Sequence, residues 1–206
     1  MIAIVDYEAG NLTSVKRALD YLGIANKITP DPDEVLSAER IIFPGVGHAS
    51  SAMAVLKERR LDKALVEAFG RKTPIMGICL GTQIILSHSE EGDTECLGLV
   101  QGECRRFSLK DRSLKIPHMG WNSIRIEKPH PVFKEVKPED EFYFVHSYYP
   151  LPKDEGAIVG KCEYETDFPA VIGNENLVAT QFHPEKSGPV GLSILKNFSL
   201  WDGSPC

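Results

Sequence analysis

The chain has 206 residues, of which 42% are hydrophobic and 25% charged, values typical of one globular domain, residues 1–206, with a full hydrophobic core. The formal net charge of −6 at pH 7 and the lack of lysine or arginine runs longer than two argue against broad binding to nucleic acids or anionic membranes. There is no apolar stretch of about 18 residues, and the apolar run at residues 1–5 is too short for a signal peptide, so we expect a cytoplasmic protein without membrane spans.

The first half of the chain alternates short strands with helices, which is typical of βαβ units and a parallel sheet. Residues 2–5 predict a first strand, and Gly10 with Asn11 can turn the chain into a helix that has one apolar face. We predict further strands at residues 24–29, 40–43 and 74–78, and helices after Pro32, over about 50–69 and over 81–87.

From residue 97 onward, short strands and turns replace this alternation. We predict strands at residues 102–107, 123–127, 142–145, 157–164, 170–173 and 177–182, and a last helix that starts at residues 187–189 with proline in its first turn. The sequence therefore predicts an α/β fold with a central, mostly parallel sheet and an antiparallel second region.

Cysteine usage indicates a reducing compartment. The five cysteines are odd in number, scattered and without a C-x-x-C pair, namely Cys79, Cys96, Cys104, Cys162 and Cys206. This pattern fits reduced thiols better than disulfides or a zinc site. We expect no metal and no cofactor, and we expect four of these thiols to be inert.

The remaining thiol, Cys79, lies in the segment Gly-Ile-Cys-Leu-Gly at residues 77–81, directly after an apolar strand. A lone cysteine in an apolar strand is usually a small buried hydrophobe. Here the flanking glycines allow a sharp turn, and the start of the following helix favours a thiolate. This strand, turn and helix context predicts an exposed nucleophile.

A base for that nucleophile is available about a hundred residues later, in the segment Gln-Phe-His-Pro-Glu at residues 181–185. His183 can take the thiol proton, and Glu185 can hold the imidazole in one tautomer and stabilise the imidazolium. A histidine before proline is also common at the end of a strand without any function. Together with Cys79, however, the pair predicts a Cys-His-Glu triad.

A glycine-rich loop, Pro-Gly-Val-Gly at residues 44–47, follows the strand at 40–43, where ligands bind in parallel sheets. Its N–H groups could stabilise an oxyanion. A simple tight turn is the alternative, and a phosphate loop is disfavoured because no G-K-[ST] sequence follows. We also expect residues 118–122 and 144–149 to be recognition loops, and residues 90–93 to be a solvated acidic loop.

In their order along the chain, these motifs resemble those of the class I (triad) glutamine amidotransferases, and most closely the glutaminase subunits of imidazole glycerol phosphate synthase. The resemblance covers nearly the whole chain and implies a flavodoxin-like three-layer sandwich. Its markers are residues 6–12, the Pro-Gly-Val-Gly loop, Gly-Ile-Cys-Leu-Gly-Thr-Gln at 77–83, Pro-His-Met-Gly-Trp-Asn at 117–122, Tyr-Phe-Val-His-Ser-Tyr at 143–148 and Gln-Phe-His-Pro-Glu-Lys-Ser at 181–187.

This resemblance implies that Cys79 attacks the side-chain amide of L-glutamine and forms a γ-glutamyl thioester, with His183 as base and Glu185 orienting it. It implies an oxyanion hole made by the N–H groups of Leu80 and of Val46 or Gly47. In the family this loop is reported to be misarranged until the synthase partner carries its ligand, and Val46 is the expected position of the peptide flip. The residues implied for holding glutamine are Gly45, Gln83, His146, Ser147 and Tyr148.

The resemblance also implies a heterodimer with a (β/α)₈ cyclase subunit that receives ammonia through a channel. The ammonia reacts there with a ribulosyl phosphate to give imidazole glycerol phosphate and the carboxamide ribotide of purine synthesis, a step of histidine biosynthesis. The implied interface residues are Asn11, Met119, Trp121 and Lys186. One departure from the family pattern is Thr82, which stands where many members have methionine and should alter packing near the thiol.

Three alternatives remain open at this point. The chain could serve another synthase, such as anthranilate or aminodeoxychorismate synthase, or be a duplicated copy for sugar modification. It could be a binding subunit with an inert thiol, which the complete triad argues against. It could also be an independent cysteine hydrolase, which would be fully active without a partner.

Overall fold

The computed structural model describes residues 1–8 and 10–205; Cys206, one of the thiols expected to be inert, lies outside them. The helices are α1 (Leu12–Tyr21), α2 (Pro32–Ser37), α3 (Ala49–Glu58), α4 (Leu61–Gly70), α5 (Leu80–Ile84) and α6 (Gly188–Leu200). Three 3-10 helices span Pro131–Phe133, Glu155–Ala157 and Pro184–Lys186.

The strands are β1 (Ile2–Val5), β2 (Asn26–Thr29), β3 (Arg40–Gly45), β4 (Ile75–Cys79), β5 (His88–Ser89), β6 (Thr94–Glu95), β7 (Gly102–Arg106), β8 (His118–Ser123), β9 (Arg125–Ile126), β10 (Glu141–His146), β11 (Tyr148–Pro152), β12 (Ile158–Tyr164), β13 (Thr166–Asn174) and β14 (Leu177–Thr180). Eight of them form the main sheet, in the order β2-β1-β3-β4-β14-β13-β12-β9. The pairings from β2 to β14 are parallel, and those from β14 to β9 are antiparallel. The mostly parallel central sheet expected from the sequence is confirmed.

Two apolar clusters cover the two faces of this sheet. On one face, Ile4 and Ile78 pack with residues of α1 and α6. On the other face, Ile41 and Phe43 pack with residues of α3 and α4. Alternate residues of a strand point to opposite faces, so strands covered on both sides are apolar throughout. The result is a three-layer sandwich with helices on both faces.

The register of the central strands brings the site together. Gly45 at the end of β3 lies opposite Cys79 at the end of β4, and Thr180 at the end of β14 lies opposite Ile78. Gly81 packs so tightly onto β3 that a Cβ atom there would overlap the Phe43 carbonyl oxygen. The carboxyl ends of three neighbouring strands therefore meet at one edge.

The antiparallel region corrects two expectations. Residues 118–122, expected to be a loop, form most of β8, which pairs with β10 from His118↔His146 to Ser123↔Glu141. Residues 144–149 are also mostly strand, since only Ser147 separates β10 from β11. Polar and aromatic residues mask the alternation of β8, in which His118 is buried whereas Met119 and Trp121 are exposed. Backbone pairing with β10, which lies far away in sequence, fixes this strand.

The remaining strands form a four-stranded sheet in the order β11-β7-β5-β6. Within the described ranges, none of the helices combines the length and the apolar content that a membrane crossing requires.

Candidate active site

Cys79 lies at the turn between β4 and α5 in an unusual backbone conformation, with φ 55° and ψ −105°. Such values are strained for a residue other than glycine and are typical of a nucleophile at a sharp strand-to-helix turn. The residue is 6% exposed. Its thiol is thus held above the sheet at the base of a pocket.

Next to the thiol is His183, which follows β14. Its Nδ1 lies 2.8 Å from Glu185 Oε1, and both side chains are only 2% exposed. The Ser187 hydroxyl fixes this turn, because it donates to the His183 carbonyl at 2.7 Å and accepts from the Tyr143 N–H at 3.0 Å. Glu185 therefore orients the imidazole through Nδ1, and Nε2 is the ring nitrogen available for proton transfer.

His183 Nε2 is buried and, in the part of the chain that the structure describes, has no hydrogen-bond partner of normal distance and angle. Burial by itself lowers the pKa of His183, but interactions with Cys79 and Glu185 outweigh it and raise the pKa well above its ordinary value. Cys79 and Glu185 therefore both favour the imidazolium form of His183. Catalytic hydrogen bonds often tighten only when substrate binds.

Two further groups contact the sulfur of Cys79. The Val145 carbonyl oxygen lies 3.9 Å from it, and Gln181 Nε2 lies 3.8 Å from it. Gln181 is completely buried and also accepts a hydrogen bond from Gln83 Nε2 at 3.2 Å. The Cys79 sulfur therefore has a backbone carbonyl and a side-chain amide as neighbours.

A cavity of about 300 Å³ opens above Cys79. It is lined by most of the residues implied for the oxyanion hole and for glutamine, together with Cys79 and three others: Val46, Gly47, Cys79, Leu80, Gln83, Glu91, Pro117, Val145, His146, Ser147 and Tyr148. Gly45 is not among the lining residues and lies beside the Tyr7 hydroxyl. The structure thus brings the expected groups together around one space.

Two residues of the Pro-Gly-Val-Gly loop at residues 44–47, Val46 and Gly47, line this cavity. Val46 is 37% exposed, and Gly47 has a φ of 109°, which favours glycine. A Cβ atom on Gly10 would come within 2.5 Å of the Val46 side chain. Leu80 is the first residue of α5, so its N–H has no acceptor within the helix.

Glu91 is a cavity residue that the sequence analysis missed, because residues 90–93 read as a solvated acidic loop. Its Oε2 accepts from the Ala49 N–H at 2.7 Å, which holds the carboxylate at the cavity wall. Helix α5 ends at Ile84 rather than continuing to residue 87 as expected. The contact with Ala49 therefore places Glu91 at the cavity, and the composition of residues 90–93 carries no signal of this contact.

The four residues implied for a partner interface lie outside the cavity. Met119 and Trp121 are 63% and 54% exposed on β8. The ring of Tyr143 joins Trp121 to Lys186, since it lies 6.0 Å from the indole ring and 5.7 Å from Nζ. Asn11 precedes α1, which contacts the 3-10 helix that carries Lys186.

The other described thiols are free and lie away from the cavity. Burial raises the pKa of Cys96 to about 11 and of Cys162 to about 12, and it also raises that of Cys104. These groups remain protonated near neutral pH. In residues 1–8 and 10–205 there is no group of three or more His, Cys, Asp or Glu side chains that could hold a metal ion.

The family follows from comparison with known proteins. A family model described as glutamine amidotransferase class-I matches residues 3–200, so the chain belongs to the class I glutamine amidotransferases. Within that class it groups with proteins named imidazole glycerol phosphate synthase subunit HisH. Those of Nitratidesulfovibrio vulgaris (strain DSM 19637 / Miyazaki F) and Maridesulfovibrio salexigens are each 50% identical over 203 residues, covering 96% of this chain and 95% of the relative.

A solved structure described as PurLQS from Thermotoga maritima has the same fold, with a TM-score of 0.74 at 21% identity and 96% of each chain covered. The family and the fold class expected from the motifs are therefore confirmed.

Proposed function

We propose that this chain is the glutaminase subunit of imidazole glycerol phosphate synthase and hydrolyses L-glutamine to glutamate and ammonia. The buried cluster of Cys79, His183 and Glu185 beside the cavity is the observation that carries the proposal. In it Glu185 Oε1 lies 2.8 Å from His183 Nδ1, and both Glu185 and Cys79 raise the pKa of the imidazole. This is the arrangement of an activated nucleophile, its base and the group that orients the base.

The reaction has two stages. The Cys79 thiol loses its proton to His183 Nε2, and the sulfur attacks the amide carbon of glutamine. The C–N bond then breaks as His183 returns the proton to the nitrogen. Ammonia leaves, and a γ-glutamyl thioester remains on Cys79. Water attacks the thioester with His183 as base, which gives glutamate and the free thiol.

The negative oxygen that forms in each stage needs N–H donors already in place. The N–H of Leu80 is one candidate, because it points away from the helix at its start. The N–H of Val46 or Gly47 is the second, on a loop at the mouth of the cavity. Rearrangement of the peptide at Val46 would complete the hole when the partner subunit is engaged.

Glutamine itself requires recognition at both ends. Glu91 supplies a carboxylate for the α-ammonium group, and Gln83 with the backbone of residues 146–148 supplies polar contacts along the chain. Gly45 maintains the position of the loop beside the thiol. Glu91→Gln should raise KM for glutamine about tenfold, because it removes one charge-assisted hydrogen bond.

The partner in this proposal is the (β/α)₈ cyclase subunit, which would receive ammonia through a channel and form imidazole glycerol phosphate and the carboxamide ribotide in histidine biosynthesis. Exposed aromatic and sulfur-containing side chains around a site are typical of interface cores. Met119, Trp121, Lys186 and Asn11 provide such a surface. Trp121→Ala should weaken the affinity of the two subunits.

We also propose that residues 1–206 form one glutamine amidotransferase domain, since strands from both ends of the chain share the main sheet. A cytoplasmic location is consistent with the four free thiols among the described residues.

The test is glutamate release from L-glutamine by the purified chain, alone and with the cognate cyclase subunit carrying its ribulosyl ligand. We expect little activity alone and a rise of about two or more powers of ten on assembly, which corresponds to about 3 kcal/mol of barrier. Cys79→Ala should abolish the activity. Cys96→Ala is the matched control, because that thiol lies outside the cavity.

The other outcomes separate the alternatives. Full activity without a partner would indicate an independent hydrolase. Activity that persists in the Cys79→Ala complex would refute the role of the thiol. No hydrolysis in either state would indicate a binding subunit, and activation by a different synthase would indicate another pathway.

A further inference from the structure

Two buried imidazoles outside the triad are hydrogen-bonded to each other. His118 Nδ1 lies 3.0 Å from His146 Nε2, and the two residues are 3% and 5% exposed. His118 stacks on Tyr164 and Phe144, with ring centroids 4.1 and 4.9 Å apart. Neither ring has a part in the proton transfers at Cys79, so their arrangement needs another explanation.

The contacts of the pair fix the position of each proton. His146 Nδ1 lies 2.8 Å from the Tyr148 carbonyl oxygen, which can only accept, so Nδ1 carries the proton. Its Nε2 is then an acceptor, and His118 Nδ1 must donate to it. His118 Nε2 is left to accept from Asn122 Nδ2, at 3.4 Å. Both rings are therefore neutral Nδ1–H tautomers.

Burial also favours the neutral form of both rings. It lowers the pKa of His118 to about 4 and is the main cause that lowers the pKa of His146 to about 3.

One end of this chain of hydrogen bonds reaches the cavity. The Tyr148 carbonyl that accepts from His146 also accepts from Gln83 Nε2 at 3.0 Å. Gln83 donates as well to Gln181, which contacts the Cys79 sulfur. The histidine pair thus holds the carbonyl that orients a cavity amide.

The other end reaches the exposed strand β8. Asn122 lies on β8 with Met119 and Trp121, and its Nδ2 also donates to the Glu163 carbonyl at 2.9 Å. An unbroken series of hydrogen bonds therefore runs from β8 to the wall of the cavity.

We propose that the imidazoles of His118 and His146 are positioning groups, whose fixed tautomers hold the Tyr148 carbonyl and Gln83 in the geometry that binds glutamine. The inference rests on the proposed glutaminase function. Because the pair holds the binding wall and not the reacting atoms, its loss weakens substrate binding more than it slows the chemistry.

The test compares two substitutions at one position, in the complex with the cyclase subunit. His118→Leu removes the donor to His146, whereas His118→Asn keeps an N–H near the position of Nδ1. We expect His118→Leu to raise KM for glutamine about fivefold with kcat changed less than about twofold, as for loss of one neutral hydrogen bond. His118→Asn should restore most of the wild-type KM.

A spectroscopic measurement on the unmodified chain is independent of activity and of the folding of variants. Two-bond ¹H–¹⁵N spectra at pH 7 should show Nδ1–H tautomers for both rings. A Nε2–H tautomer or an imidazolium at either ring would overturn the proposal. So would a fall in kcat at constant KM, an unchanged KM in His118→Leu, or a failure of His118→Asn to restore KM.

The two proposals fail separately. If the wild-type complex hydrolyses no glutamine, the proposed function fails, whereas the tautomers still decide whether the hydrogen-bonded pair exists as described. If hydrolysis is normal and the tautomers differ, only the positioning role fails.

Discussion

The hydroxyl of Tyr7 and the missing side chain of Gly45 form a steric pair whose energetics can be measured. Tyr7 is 1% exposed, and its hydroxyl has no hydrogen-bond partner among the described residues. A Cβ atom on Gly45 would overlap that hydroxyl and would also lie 3.0 Å from Tyr7 Cζ and 3.2 Å from Leu80 Cβ. Residue 45 is therefore glycine because Tyr7 occupies the space.

The magnitudes follow from these contacts. Tyr7→Phe removes an unpaired buried hydroxyl and should raise the free energy of unfolding by about 1 kcal/mol. Gly45→Ala should lower it by about 2 to 3 kcal/mol, because the overlap outweighs the entropy that alanine removes from the unfolded chain. In the double variant the overlap with oxygen is gone but the contact with Cζ remains tight. We therefore expect the double variant to be more stable, by about 1 to 2 kcal/mol, than the sum of the two single effects on the free energy of unfolding predicts.

Urea unfolding of the four proteins, followed by tryptophan fluorescence, gives the required free energies. Gly70→Ala is the matched control, because nothing lies within 4 Å of a Cβ atom there, and it should be neutral or slightly stabilising. Additive effects of the two substitutions would refute the steric reasoning. If Tyr7→Phe alone lowered the free energy of unfolding by more than about 1 kcal/mol, the Tyr7 hydroxyl would have a hydrogen-bond partner.

Three further predictions concern stability and thiol reactivity. Thr82→Val should lower the free energy of unfolding by about 1 to 3 kcal/mol, because the fully buried Thr82 hydroxyl donates to the Thr180 carbonyl at 2.6 Å. Thr13→Val, at an exposed position, is the control in the same urea assay, and equal effects of the two substitutions would contradict this prediction. Lowering the pH from 6.5 to 5 should reduce the free energy of unfolding by about 2 kcal/mol for each buried neutral histidine. These are His118, His130 and His146, whose pKa values burial holds near 4 or below in the folded chain, whereas the unfolded histidines gain protons over this range. A free energy of unfolding that stays constant between pH 6.5 and 5 would refute this prediction. Iodoacetamide at pH 7.5 should label Cys79, which lines the cavity, well before Cys96, Cys104 and Cys162, because burial raises the pKa of those three thiols. Peptide mass spectrometry that finds equal labelling of the four cysteines would contradict this order.

Local patterns were sufficient to predict the parallel half of the fold. Strand β1 was predicted with its observed bounds, and β3 and β4 were each predicted within two residues, because short apolar runs between turns must be buried strands. The Cys79 turn and the His183 turn were also evident from the sequence. Their meeting depends on β4 and β14 being neighbours, which the alternation of strands does not specify.

The parts that the sequence analysis missed depend on contacts between distant residues. Strand β8 alternates faces, but Trp121 and Met119 are exposed and apolar, so its pattern does not separate inside from outside. Its pairing with β10 decides the matter. Glu91 is held at the cavity by the N–H of Ala49, 42 residues earlier in the chain. The pairing of His118 with His146 likewise requires two strands that lie apart in the sequence.

The order of strands in the main sheet has a consequence for the synthesis of the chain. Strand β14 lies between β4 and β13, so the apolar β4, residues Ile75–Cys79, has one open edge until more than 170 residues have been made. During translation the nucleophile thus exists without its base, and an unpaired strand of this kind can pair with other chains. Insertion of β14 closes that edge and delivers His183 in the same event. A ribosome-bound or truncated chain that lacks this strand is therefore both prone to aggregation and unable to consume glutamine.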